Sequence, residues 1–86
     1  MILKKGFIVH HTDEESLLVP AGNVDFSGLV RGNKTFGAVL DLLEKDTTEA
    51  EVISAMADRF DAPAEVIGKD VADILDKLRG IGALDE

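Results

Sequence analysis

Cysteine is absent from this 86-residue chain. That excludes a disulfide framework, a thiolate nucleophile and any Cys-ligated zinc or iron–sulfur site. It is also compatible with a reducing compartment, and the cytoplasm is the expected location. Long apolar runs are missing too. Stretches such as Phe7 to Val9 and Leu17 to Val19 fall far short of the roughly 20 residues that cross a bilayer. Met1-Ile2-Leu3-Lys4-Lys5 lacks the apolar core of a signal peptide. Histidine is scarce: His10 and His11 are the whole supply. Neighbours on a strand point to opposite faces, so these two do not readily share one metal ion, and neither has a partner at a recognised ligand spacing. Gly32-Asn33-Lys34-Thr35 matches only the last two residues of a phosphate-binding loop and lacks its first glycine. No Ser-His-Asp arrangement is evident along the sequence. The expectation is a chain that is not an enzyme and holds neither metal nor cofactor.

What is present fits one small folded domain spanning residues 1–86. Apolar residues make up 45% and charged residues 30%, a globular balance. The net charge is −8, and it is unevenly placed. Lys4, Lys5, Arg31 and Lys34 balance Asp13, Glu14, Glu15 and Asp25, so the whole excess lies beyond residue 34. Nucleic-acid binding runs largely on Lys and Arg at phosphates, and an acidic half opposes it.

The first third reads as strands. Phe7–His11 and Ser16–Val19 are β-forming runs around the polar turn Thr12–Glu15, and Pro20 closes the second. After Ala21-Gly22-Asn23 comes Val24–Val30. There Val24, Phe26 and Val30 recur with the two-residue period of a strand. Gly28 falls where a further inward side chain would stand, a place that often marks a bulge or close approach. An open edge on this strand could pair with another peptide. Gly32-Asn33 breaks the pattern.

From Thr35 the period becomes 3.6. Phe36, Val39, Leu40 and Leu43 form one helix face, with Asn33 as its cap. Thr48-Glu49-Ala50-Glu51 has a capping-box pattern ahead of Ile53, Met56, Ala57 and Phe60. Pro63 restarts the chain, and Ile67, Val71, Ile74, Leu75 and Leu78 stripe a third, longer helix. Gly80 and Gly82 both suit the left-handed position that ends it. Asp70, Asp73 and Asp76 step along this helix among Lys69, Lys77 and Arg79, the pattern of a solvated face with local ion pairs. The fold class is α+β: a three-stranded antiparallel sheet followed by three helices, a small winged helix-turn-helix.

Several stretches, in order and spacing, carry a family resemblance. They are Gly6-Phe7, Val19-Pro20-Ala21-Gly22, Phe26-Ser27-Gly28-Leu29-Val30, Asn33-Lys34-Thr35, the helix Phe36 to Leu43, Thr47-Thr48-Glu49, Lys69-Asp70-Val71, Leu75, Leu78 and Gly82-Ala83-Leu84. Together they resemble the PqqD family, named for the pyrroloquinoline quinone synthesis protein D. One departure is Gly32, where the family usually has a bulky apolar residue before the Asn that opens the first helix. The resemblance implies a winged helix-turn-helix that binds no DNA and serves in natural-product biosynthesis. Such a domain captures the leader of a ribosomally made precursor peptide as an extra strand beside strand three, against helix three. It then presents the peptide to a modifying enzyme, often a radical S-adenosylmethionine enzyme. Carried onto this chain, the strand edge is Asp25, Phe26, Ser27, Gly28, Leu29 and Val30. The helical wall lies among Val66, Lys69, Asp70, Asp73, Ile74 and Lys77. The acidic groups there would favour a leader with Lys or Arg. No membrane or nucleic acid is expected as a partner, and the expected state is a monomer or weak homodimer. The alternatives are a winged-helix DNA-binding regulator, or a structural domain that dimerises through strand three.

Overall fold

The hairpin predicted from Phe7–His11 and Ser16–Pro20 anchors the architecture. The computed structural model describes residues 1–21 and 28–86 of the chain. Its elements are β1 (Ile2–Leu3), β2 (Phe7–His11), β3 (Ser16–Pro20), β4 (Val30–Gly32), α1 (Lys34–Leu42), α2 (Glu49–Arg59), α3 (Ala64–Gly80) and β5 (Leu84–Asp85). Strands β2, β3 and β4 form an antiparallel sheet in that order. Leu18 stands opposite Val9 on one side and Val30 on the other, and Ser16 stands opposite His11 and Gly32. Directly paired residues share a face, so Phe7, Val9, Leu18 and Val30 all turn toward the helices. Phe7 and Leu18 are buried there, with Val9 and Val30 packed against the core.

The third strand, β4, ends two residues later than its sequence pattern predicts. Gly28 has φ +125°, a conformation that L side chains rarely adopt. The chain therefore bends at Gly28, and among the described residues pairing with β3 begins at Val30. Leu29 precedes the strand and is exposed. Gly32, read in sequence as a break, belongs to the strand. Asp25, Phe26 and Ser27 lie outside the described residues.

The helices follow their periodicity closely. Phe36, Val39, Leu40 and Leu43 are all buried, and the Asn33 side chain accepts a hydrogen bond from the Phe36 N–H at 3.0 Å. At α2 the Thr48 hydroxyl oxygen accepts from the Glu51 N–H at 3.2 Å. The Glu51 carboxylate accepts from the Thr47 hydroxyl instead of reaching back to the cap, so only half the capping box forms. The buried face of α2 is Val52 and Met56, while Ala57 is exposed. The face is rotated toward the larger Val52, which gains more from burial than Ala57 does. Ile67, Val71, Leu75 and Leu78 bury the inner face of α3. Of the two glycines expected at its end, Gly82 takes the left-handed position, with φ +73°. The Gly82 N–H donates to the Arg79 carbonyl and the Ala83 N–H to the Leu78 carbonyl, the paired bonds of a Schellman ending.

A second sheet escapes the sequence pattern. β1 pairs antiparallel with β5, Leu3 opposite Leu84. The Leu3 N–H also donates to the Leu43 carbonyl at 2.9 Å, just beyond the end of α1. Two-residue strands are too short to show a period.

Candidate functional site

β4 has β3 on one side, and among the described residues no strand pairs with its other edge. A groove of about 340 Å³ lies there, between the β4–α1 junction and α3. Arg31, Gly32, Asn33, Thr35 and Phe36 line one side. Asp70, Asp73, Ile74 and Lys77 line the other. Spacings of three, four and seven residues place these last four on a single face of α3. Phe36 and the half-buried Ile74 supply its apolar surface. The Phe36 ring takes the space that a Cβ on Gly32 would occupy.

The charged side chains of the groove are exposed and include both signs. Among the described residues, Arg31, Asp70, Asp73 and Lys77 make no ion pair within 4 Å. Elsewhere on the same helix, Arg79 is fully engaged. Its guanidinium donates to Asp76 at 3.1 Å and to both carboxylate oxygens of Glu86 at 3.0 Å. This bond holds the Glu86 carboxyl below its usual range and raises the Arg79 guanidinium further.

Among the residues expected at the site, the structure brings Asp70, Asp73, Ile74 and Lys77 together in the groove. Val66 and Lys69 are exposed on α3 and are not part of its lining. Val30 is half-buried against the core, next to Arg31 and Gly32, which do line the groove. Sequence reasoning missed Arg31, Gly32, Thr35 and Phe36 as groove residues, because it ended the strand at Val30. The usable signal was Asn33. A cap at that position lets the strand run directly up to it.

A second constellation was missed as well. The His11 Nδ1 lies 2.7 Å from the Ser16 Oγ, and its Nε2 lies 2.9 Å from the Asp41 Oδ1. A neutral ring protonated on Nε2 satisfies both contacts, accepting from Ser16 and donating to Asp41. This is a Ser-His-Asp chain, but Ser16 is only 3% exposed. Its hydroxyl occupies the place where a Cβ on Gly37 would stand, under α1. The network ties the hairpin to α1. The four-residue turn Thr12–Glu15 already made His11 and Ser16 cross-strand partners; the position of Asp41 depends on helix packing. Among the described residues, no group of three or more His, Asp or Glu is placed to hold a metal ion. No helix there is long and apolar enough to cross a membrane.

Residues 15–84 match the family model described as coenzyme PQQ synthesis protein D (PqqD). The chain belongs to the PqqD family. The matched span runs from the start of β3 through α3 and so contains both walls of the groove. Two solved structures share the fold. TbiB1 in complex with the TbiA(beta) leader peptide is 18% identical, with TM-score 0.80 over 99% of this chain and 95% of that one. A lasso peptide synthetase B1 complexed with the leader peptide is 17% identical, with TM-score 0.72 over 94% and 92% of the respective chains. Among curated proteins no sequence match is found. At these identities the likeness establishes the winged-helix architecture for this PqqD-family chain.

Proposed function

We propose that this PqqD-family chain is a peptide-binding adaptor. It captures the leader segment of a ribosomally made precursor as an added strand on the open edge of β4 and presents it to a separate modifying enzyme. The observation that carries this reading is the groove itself: a strand edge, unpaired among the described residues, that faces α3 across about 340 Å³. Main-chain hydrogen bonds along such an edge supply affinity, and side-chain pockets supply selectivity. The two neighbours of like fold, TbiB1 and the lasso peptide synthetase B1, are both complexes with leader peptides, which supports the same role here. On this reading residues 1–86 act as one recognition domain, the docking edge includes Val30 to Gly32, and the chain itself performs no catalysis. The partner class expected from the family is a radical S-adenosylmethionine enzyme. The chain acts in the cytoplasm as a monomer or weak homodimer.

The test is a titration of ¹⁵N-labelled protein with a synthetic precursor leader peptide. Amide signals of Val30, Arg31 and Gly32 and of α3 from Asp70 to Lys77 are expected to shift together. Shifts confined to other surfaces, or no shifts at millimolar leader, would sink the proposal.

A further inference from the structure

We infer that the groove selects a leader segment carrying charges of both signs, ordered around an apolar anchor. The inference rests on the adaptor reading and narrows the class of peptide. The sign of the whole chain points elsewhere: a net charge of −8 favours a basic partner throughout. The groove does not repeat that sign. Asp70 and Asp73 stand at one end of its helical wall, Ile74 follows, and Lys77 stands at the other end. Arg31 adds a second cation from the strand side. Among the described residues all four charges are without ion-pair partners, whereas Asp76 and Arg79, just outside the groove, are paired. A uniformly basic peptide would neutralise the aspartates and confront Lys77 and Arg31 with charge of the same sign.

Spacing sets the pattern. A helix rises about 1.5 Å per residue, which puts Ile74 about 6 Å and Lys77 about 10 Å along α3 from Asp70. An extended peptide rises about 3.3 Å per residue and turns alternate side chains to one side, about 6.6 Å apart. Taken along the axis of α3, a peptide residue i facing Asp70 therefore places residue i+2 over Ile74 and residue i+4 about 3 Å beyond Lys77. The long side chain of Lys77 spans the small remaining offset. The preferred segment is Lys or Arg, an apolar residue two positions away, and Asp or Glu two positions beyond that. The strand direction decides which charge comes first in the sequence.

The test is selection from a library of displayed, randomised nonapeptides on the immobilised full chain in low salt, repeated with Asp70→Lys/Lys77→Glu. Both substituted positions are exposed, so the variant is expected to keep the native circular dichroism. The native chain should enrich the three-part pattern in one order, and the variant should enrich the reverse order. A selected peptide should lose about tenfold in affinity on the charge-exchanged protein at low salt, and less than threefold at 0.5 M salt, where screening is strong. Enriched peptides that shift the amides of Val30 to Gly32 but show no charge order would overturn the inference and leave the adaptor reading standing. If no enriched peptide shifts those amides, both fall.

Discussion

The side chain of Phe36 and the missing side chain of Gly32 share one volume: a Cβ on Gly32 would collide with the Cβ, Cγ and Cδ2 of Phe36. Gly32 is needed here for space, and its backbone is not in the left-handed region. The pair joins the last residue of β4 to the first turn of α1, so it fixes the angle at which the strand edge meets the groove. Gly32→Val should overpack the site and cost about 1–3 kcal/mol, and Phe36→Ala alone about 3–5 kcal/mol through the cavity it leaves. Because the two positions compete for one space, Gly32→Val combined with Phe36→Ala should be more stable than the sum of the single changes by at least about 0.5 kcal/mol. Urea denaturation of the four proteins measures the coupling, and strict additivity would rule out the shared volume.

Two helical glycines should respond to alanine with opposite signs. At Gly68 a new Cβ meets nothing nearer than the Ile53 Cδ1 at 4.0 Å, so Gly68→Ala should gain about 1 kcal/mol from helix propensity. At Gly37 the new Cβ lands on the Ser16 Oγ. Gly37→Ala must displace a buried hydroxyl held by His11, and should lose about 1–3 kcal/mol despite the same propensity gain. Thermal melts of both variants decide it; a stabilised Gly37→Ala would mean that α1 can lift away from the hairpin without penalty.

Most of the fold was legible because its helices bury one face each. Phe36, Val39, Leu40 and Leu43, and likewise Ile67, Val71, Leu75 and Leu78, are periodic in sequence and buried in the structure. Single-residue chemistry was legible as well: Asn33 and Thr48 cap helices as their side chains dictate. What stayed hidden depends on contacts between distant parts of the chain. β1 and β5 exist only because they pair with each other and dock beside Leu43. Asp41 reaches His11 only after α1 packs on the hairpin. At the groove, the helical residues Asp70, Asp73, Ile74 and Lys77 could be named because the family resemblance pointed to that helix. The strand side was misjudged by two residues, because Gly32 looked like a break when it is a packing solution.

The end of α3 should show acid-sensitive stability through Glu86. Its carboxyl is held below the usual range, first by the hydrogen bond from Arg79 and also by the charge of that guanidinium. The ionised form is thus favoured in the folded state over the unfolded one. The resulting stabilisation is present above the unfolded glutamate value of about 4.3 and is lost as the pH falls through the lower folded value. Glu86→Gln should be less stable than the native chain at neutral pH, and the difference should close in acid. A difference that widens below pH 4 would contradict the linkage.

Adjacent residues on α3 should divide binding from stability. Leu75 is fully buried, whereas Ile74 is half-buried and lines the groove. Leu75→Ala leaves a cavity in the core and should cost about 2–5 kcal/mol of stability. Ile74→Ala removes apolar surface from a wall that faces solvent in the free protein, so its cost in stability should be under about 1.5 kcal/mol, less than full burial of such a side chain is worth. Its effect belongs to the bound state, where an apolar peptide side chain would cover it. A loss of about 1.4 kcal/mol there is a tenfold weaker Kd. Titrating both variants with a peptide selected on the native chain, alongside urea melts, separates the two roles. An Ile74→Ala protein that binds with native affinity would remove this residue from the docking surface and move the anchor elsewhere along the groove.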